Sequence, residues 1–315
     1  MRRKGAGLAQ FIVIALLLFG LIAGQAWAAC ESLRTYGNQW SGAGQLSAPR
    51  GVAIDSKGNS WVADSSHSRV QEFNSKGEFV AQFGVASPGG VVAIALEPEG
   101  NIWVIPGSSV GGASTIRKYS PAGEVLLSFG SQGSGNGQFG AARGIAVDSA
   151  GNVYVLDKGV GGVAPPRVQK FNSKGEYQSQ FGSKGTGNGQ FEAPEGIAVD
   201  SEGNVLVADT GNNRVQEFNS AGEFVRKYGS EGTGNGQFKS PQGIAIDSEG
   251  RVQVVDSGNN RVQRFSSKGA YQAQFGAFGS NAAQLSGPIG IAIDSEGHIR
   301  IADTGNDRVQ EFGGC

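Results

Sequence analysis

Aspartate and arginine recur in pairs whose spacing suits either catalysis or structure. In five places an aspartate precedes an arginine by five or ten residues, namely Asp64 and Arg69, Asp157 and Arg167, Asp209 and Arg214, Asp256 and Arg261, and Asp303 and Arg308. A ring of carboxylates can bind a metal or act in acid–base chemistry, whereas an Asp–Arg pair forms charge-assisted hydrogen bonds. Because Pro106 and Thr115 replace both partners together in one further copy, we predict structural salt bridges.

Histidine is too scarce in this chain for most zinc chemistry. His67 and His298 are the only two, and zinc sites generally take three or four ligands. We predict that both histidines are solvated loop residues. No metal site and no cofactor are predicted, and a carboxylate-bound Ca²⁺ or Zn²⁺ is kept as part of an alternative function.

These residues belong to a repeat of about 47 residues, which the segment 189–229 represents best. Within it, Gly196–Val199 alternates large and small residues, Val205–Ala208 is apolar throughout, and Arg214–Phe218 and Glu223–Tyr228 mix apolar with charged residues. Gly- and Asn-containing turns separate these segments, so we predict a four-stranded antiparallel meander. Its strands should lie progressively nearer solvent from the first to the fourth.

Six such units predict an all-β, six-bladed β-propeller of four-stranded antiparallel blades. They span residues 38–84, 85–130, 131–182, 183–229, 230–276 and 277–315. The last unit lacks its outer strand, while residues 30–37 align with residues 222–229. We therefore predict that the N-terminal strand completes the last blade and closes the ring.

The two ends of the chain contain sequence features that predict export and a disulfide bond. Basic residues 2–4 precede an apolar run over 8–24 and the small-residue pattern Ala26-Trp27-Ala28, which predicts a signal peptide over 1–28 and a mature domain over 29–315. An uncleaved membrane anchor is the alternative. Since Cys30 and Cys315, the only cysteines, fall at adjacent positions of the closing turn, we predict that they form a disulfide.

The repeat resembles the NHL repeat most closely over Pro194–Phe218 and Pro241–Phe265, which share the pattern P-x-G-I-A-[VI]-D-S-E-G followed by N-N-R-V-Q-x-F. The resemblance implies a propeller whose top face binds partners. This face carries the loops that link successive blades and the loops between second and third strands. The resemblance does not imply one function, because NHL propellers include RNA-binding and protein-binding modules as well as lyases.

Candidate binding residues lie where the units differ on that top face. The variable position before the first-strand glycine holds Arg50, Arg143, Glu195 and Gln242, and the second-to-third-strand loops lengthen at 107–114 and 158–166. With these loops forming a lip beside the channel, the predicted binding residues are Arg50, His67, Ser109, Arg143, Lys158, Glu195 and Gln242.

Charge narrows the choice of partner. Without residues 1–28 the chain has 23 basic and 27 acidic residues, a net charge near −4, which argues against nucleic acid. We predict a secreted, non-enzymatic binding scaffold that is monomeric, is not inserted in the membrane after signal cleavage, and takes a protein, an extracellular glycan or a small ligand. The alternative is a secreted lyase or hydrolase with a carboxylate-bound metal in the central channel.

Overall fold

Six four-stranded antiparallel sheets form a closed ring in the computed structural model of the chain, so the predicted all-β six-bladed propeller is confirmed. The structure describes residues 30–108, 114–161 and 163–314. From the inner to the outer strand, blades 1 to 3 comprise Pro49–Ile54, Ser60–Asp64, Arg69–Phe73 and Phe79–Gly84; Val91–Leu96, Ile102–Pro106, Ile116–Tyr119 and Val125–Phe129; and Ala142–Val147, Val153–Asp157, Arg167–Phe171 and Tyr177–Phe181.

The other three blades have the same order of strands. They comprise Gly196–Val199, Val205–Asp209, Arg214–Phe218 and Phe224–Tyr228; Pro241–Ile246, Val252–Asp256, Arg261–Phe265 and Tyr271–Phe275; and Ile291–Ile293, Ile299–Asp303, Arg308–Gly313 and Glu31–Tyr36. Short 3₁₀ turns follow the second strands of blades 1, 4, 5 and 6 at Ser65–His67, Thr210–Asn212, Ser257–Asn259 and Thr304–Asn306.

Burial does not decrease steadily from the inner to the outer strand, which corrects the predicted gradient. In blade 4 the second and third strands are buried at every residue, and the inner strand is only half buried. The inner strand turns one face to the central channel, whereas the third strand lies between neighbouring blades. The charged residues of the third strand are buried because they are paired, as Arg214 is with Asp209.

Aromatic pairs close all six seams between blades. At each seam a ring near the end of one outer strand meets a ring at the end of the next blade's third strand, with centroids 4.6 to 4.9 Å apart. The pair Tyr36 and Phe73 joins blade 6 to blade 1 at 4.9 Å. The seam that contains the chain ends is therefore packed like the other five.

The N-terminal strand completes blade 6, as predicted. Glu31–Tyr36 runs antiparallel to Arg308–Gly313, with Glu31 opposite Gly313. The hydroxyl of Tyr36 also donates a hydrogen bond to Ser60 Oγ over 2.7 Å, which ties this strand to blade 1. Cys30 is not free, but its predicted partner Cys315 lies outside the described residues, so the disulfide between them stays a prediction.

Glycines let the inner strands approach one another around the axis. A Cβ atom at Gly196 would lie 1.8 Å from the carbonyl oxygen of Gln242 in the next blade, and one at Gly290 would lie 2.2 Å from that of Arg50. At these two positions the absence of a side chain allows backbone to approach backbone closely. In blade 2, Ala93 stands at the corresponding position.

Candidate functional site

The inner strands enclose a central channel with a volume of about 320 Å³. Its wall consists mainly of Val, Ile and Ala side chains together with the first-strand glycines. At the top mouth each blade contributes the residue immediately before that glycine, or before Ala93 in blade 2, and these residues are Arg50, Val92, Arg143, Glu195, Gln242 and Ile289. The sequence identified four of them as candidate binding residues, and the structure brings those four together in one ring.

Glu195 carries a salt bridge between blades 3 and 4. Its Oε1 accepts a hydrogen bond from Lys158 Nζ over 2.6 Å, and its Oε2 lies 3.8 Å from Arg143 Nε. Lys158 comes from the long loop of blade 3, so this loop reaches the channel mouth. The Nε of Arg143 is buried and makes no hydrogen bond within the described residues. Two cations thus share one carboxylate, which is hydrogen-bonded to Lys158 but lies too far from Arg143 Nε for a hydrogen bond.

Arg50 forms no salt bridge and its side chain makes no hydrogen bond with the residues that the structure describes. It is half-buried, and the neighbouring ring positions hold the uncharged Val92 and Ile289. The ring residues together with Lys158 therefore comprise three cations, Arg50, Arg143 and Lys158, and one carboxylate, that of Glu195, an excess of two positive charges. Gln242 adds a neutral amide, which donates to Ser257 Oγ over 3.4 Å.

Neither histidine is simply a solvated loop residue, which corrects that prediction. His67 Nδ1 lies 3.0 Å from Asp64 Oδ2 and the side chain is only 26% exposed, while His298 Nδ1 lies 3.1 Å from Asp294 Oδ2. Blades 4, 5 and 6 have an asparagine at the position of His67. In blade 4 this residue is Asn212, whose amide donates to Asp209 Oδ2. His67 is thus on the top face but does not line the channel, and His298 lies in a turn at the bottom.

The long loop of blade 3 forms a second recess on the top face. Residues 158–161 and 163–166 line a cleft of about 450 Å³ together with Lys184 and Glu192 from the loop leading into blade 4. The blade 2 loop contains the predicted binding residue Ser109, which lies outside the described residues.

The paired aspartates and arginines hold the linking loops of the propeller, away from the channel. Four arginines place Nε 2.6 to 2.7 Å from a fully buried aspartate, and Arg167 Nε lies 3.7 Å from Asp157. The remaining nitrogens of Arg214 donate to the carbonyl oxygens of Thr186, Gly187 and Gln190 in the loop before blade 4. Each pair is therefore a clamp on a loop as well as a contact between strands.

A buried glutamine, which sequence reasoning missed, completes each clamp. Gln216 donates from Nε2 to Gln190 O and Asp209 Oδ2, and its Oε1 accepts from Gly189 N. Equivalent glutamines are fully buried in the other blades that have the clamp, at positions 71, 169, 263 and 310. The signal was the recurrence of R-V-Q in the third strand and its absence from blade 2.

Metal-ligating residues do not converge in residues 30–108, 114–161 and 163–314. This part of the chain contains no group of three or more His, Cys, Asp or Glu residues placed to hold a metal ion. Nor does it contain a helix with the length and hydropathy needed to span a membrane.

Comparison with protein families and curated sequences identifies the repeat. The NHL repeat model matches residues 46–73, 191–218, 238–265 and 285–312. NHL repeat-containing protein 3 of Homo sapiens is 28% identical over 151 residues, covering 46% of this chain and 43% of the relative. The Mus musculus protein of that name is 30% identical over 171 residues, covering 51% and 49%. The match thus spans about half the length of these curated relatives.

Solved structures share the fold at low sequence identity. A streptogramin B lyase gives a TM-score of 0.62 at 16% identity, with 92% of this chain and 99% of that chain covered. An auxiliary nutrient binding protein from Bacteroides thetaiotaomicron gives 0.68 at 12% identity, with 90% and 76% covered. A catalytically inactive histidine-to-alanine variant of virginiamycin B lyase from Staphylococcus aureus, with quinupristin, gives 0.58 at 16%, with 87% and 81% covered.

Proposed function

Because this chain is a six-bladed β-propeller in which four blades match the NHL repeat, we propose that it is an exported, non-enzymatic binding protein whose top face holds a small organic anion. The observation that carries this proposal is the half-buried Arg50, which has no anionic partner in the described residues, facing a mouth that also contains Arg143 and Lys158.

The electrostatics of the mouth favour an anionic group on the ligand. Hydrogen bonds between ionised partners are stronger than those between neutral groups, and a guanidinium can hold a carboxylate through two parallel bonds. Arg50 and the partly exposed guanidinium of Arg143 offer such donors. The apolar wall below them accepts the rest of the ligand, and a volume of about 320 Å³ lies at the lower end of the range for small-molecule sites.

Histidine placement favours binding over lyase chemistry of the type known from the structural relatives. The virginiamycin B lyase variant with a histidine changed to alanine is described as inactive. Here the chain has two histidines, each paired with an aspartate of its own blade and on opposite faces of the ring. The auxiliary nutrient binding protein, named for binding, has a similar fold, which supports the proposal. Stoichiometric, tightly bound calcium or zinc in the purified protein would instead favour the lyase or hydrolase alternative.

Export and a monomeric state are parts of the same proposal. Export rests on the signal pattern over residues 1–28, which lie outside the described residues. N-terminal sequencing of the secreted protein should begin at Ala29. A mature chain beginning at Met1, or a lipid on Cys30, would contradict it.

The ligand class is tested with an amphipathic anion and its uncharged analogue. We expect 8-anilinonaphthalene-1-sulfonate to bind one per chain and to be displaced by octanoate, whereas neutral N-phenyl-1-naphthylamine binds weakly. Loss of one charge-assisted contact in Arg50→Ala or Arg143→Ala should weaken sulfonate binding about tenfold or more. Lys76→Ala, in an exposed turn on the opposite face, is the matched control. Equal binding of both dyes, or equal affinity in all variants, would refute the proposal.

A further inference from the structure

Trp40 adopts a backbone conformation that glycine adopts in four other linking loops. The loops that precede blades 3, 4, 5 and 6 have glycine at the corresponding position, with φ of 149°, 147°, 150° and 148° at Gly133, Gly185, Gly232 and Gly279. Trp40 has φ of 146° in the loop that precedes blade 1. This region is unfavourable for a residue with a side chain, so the tryptophan is held at a strained position.

Packing does not explain this tryptophan. A Cβ added at the four glycines would lie only 2.2 to 2.3 Å from the side-chain oxygen of the following loop glutamine. The corresponding Gln45 keeps its own bond, in which its Oε1 accepts from Gly42 N over 2.8 Å. Trp40 belongs to none of the buried clusters and is 72% exposed. A strained, exposed aromatic residue points to a role in recognition.

A second exposed aromatic residue lies in the neighbouring loop of the ring. Phe278 is 73% exposed and occupies the position that holds Gln39, Gln132, Lys184 and Glu231 in the other loops. Its loop precedes blade 6 and that of Trp40 precedes blade 1, so the two aromatic residues flank blade 6 on the top face. We call these two loops, residues 37–46 and 276–285, the aromatic rim.

Both halves of the aromatic rim are rigidly held. Arg69 donates to the carbonyl oxygens of Ser41 and Gly42, immediately after Trp40. Arg308 does the same for Ser280 and Asn281 beyond Phe278. Each guanidinium is anchored on a buried aspartate, so little loop ordering is required when a ligand binds.

The composition of the aromatic rim indicates the chemistry of its ligand. Neither loop contains a charged residue, and the polar side chains near the aromatic residues are amides and hydroxyls such as Asn38, Ser41, Ser280 and Asn281. An exposed ring can cover an apolar face of a ligand, and neutral amides and hydroxyls can exchange hydrogen bonds with its hydroxyl groups. A charged partner would find no counter-charge on these loops. We propose that the aromatic rim binds a neutral glycan chain, at a site separate from the channel mouth.

The test uses the fluorescence of Trp40 in the full chain. Trp61 and Trp103 are buried, so the difference between wild type and Trp40→Gly isolates the exposed signal. Cellohexaose, maltohexaose, laminarihexaose and chitohexaose are titrated, with calorimetry as the second readout. We expect at least one of them to shift the emission of Trp40 to shorter wavelength. Trp40→Gly and Phe278→Ala should each weaken its binding about tenfold or more, as for aromatic residues central to a binding surface.

Stability and site separation complete the test. Trp40→Gly restores the residue of the other loops, so it should raise Tm while lowering glycan affinity, which rules out misfolding as the cause. Val225→Ala, at an exposed apolar residue of an outer strand, should change neither. Arg50→Ala should leave glycan affinity unchanged, because Arg50 lies at the channel mouth. A failure of the glycan proposal is therefore distinguishable from a failure of the proposed anion site. Absence of binding to all four oligosaccharides, preference for the polyanion hyaluronan, or unchanged affinity in Trp40→Gly would overturn the proposal.

Discussion

Arg214 donates from Nε to the buried carboxylate of Asp209 over 2.7 Å, and its other nitrogens bind carbonyl oxygens of the linking loop. Blade 2 shows what this clamp is for. There Pro106, Thr115 and Arg117 replace the aspartate, the arginine and the glutamine, and the loop leading into that blade lacks the Gly-rich sequence ending in Gln-Phe or Gln-Leu that precedes the other five blades. Clamp and Gly-rich loop are absent together from this blade, as expected if the clamp holds the loop in place.

Removing one clamp should destabilise the fold without affecting the channel mouth. Arg214→Ala leaves Asp209 buried without its counter-charge, which typically costs about 3–5 kcal/mol of unfolding free energy. Denaturant unfolding measures this loss, and sulfonate binding should stay within about twofold of wild type. Lys227→Ala on the exposed outer strand is the control. Unchanged stability together with abolished binding would assign Arg214 to the binding site instead.

The axial glycines allow a graded test of backbone packing. A Cβ at Gly196 would lie 1.8 Å from a backbone oxygen, whereas one at Gly51 would lie 3.1 Å from its nearest neighbour, Ile94 N. Gly196→Ala should therefore be the more damaging change, by about 1–3 kcal/mol as for other overpacked sites, and Gly51→Ala should cost less. Thermal unfolding of the two variants gives the order. Equal losses would show that the inner strands can shift apart without penalty.

Periodicity carried most of the fold prediction. The repeat predicted the strands of blade 4 to within one residue at each end, because turn chemistry and apolar runs are local properties. Closure by residues 31–36 was also predictable, since the missing strand and its replacement align. The third strand was expected to be more exposed than it is. Its charged residues find partners on other segments, and a single repeat does not reveal those partners.

The candidate site was predictable only in part. Alignment of the repeats placed Arg50, Arg143, Glu195 and Gln242 on one ring. It could not show that Lys158, from a longer loop, reaches Glu195, because this contact depends on how that loop folds back. The role of Trp40 was also not predicted. Alignment of the linking loops does show a tryptophan at a position where four other loops have glycine.

Ionisation of Tyr36 should weaken the closing seam at alkaline pH. Burial raises the pKa of Tyr36 from 10.0 to about 12, and its hydroxyl donates to Ser60. The unfolded chain therefore releases this proton first, so stability is lost as pH rises from 10 towards 12. Near neutral pH, Tyr36→Phe should cost about 1 kcal/mol for the lost hydrogen bond. Urea unfolding at several pH values should show this difference shrinking above pH 10, and a constant difference would contradict the assignment.

Covalent closure of the ring is the most direct test of how the chain ends are held. The backbone places Glu31 opposite Gly313, so Cys30 and Cys315 each lie within two residues of this pair along the chain. A disulfide that closes so long a loop stabilises by about 5 kcal/mol at most in the chain-entropy model. Without it, the N-terminal strand keeps its ladder, the packing of Tyr36 and the contact of the 45% exposed Leu33 with Gly313.

Cys30→Ser should therefore lower Tm and speed tryptic cleavage after Arg34, while the β-sheet circular dichroism signal remains, because the other five blades do not depend on this strand. Cys315→Ser and wild type treated with reductant should show the same Tm as Cys30→Ser, since each lacks only the bond. Thiol labelling of the denatured, unreduced protein should find no reactive cysteine. Two labelled thiols per chain, or a Cys30→Ser protein as stable as the oxidised wild type, would show that the ring is held by strand pairing alone.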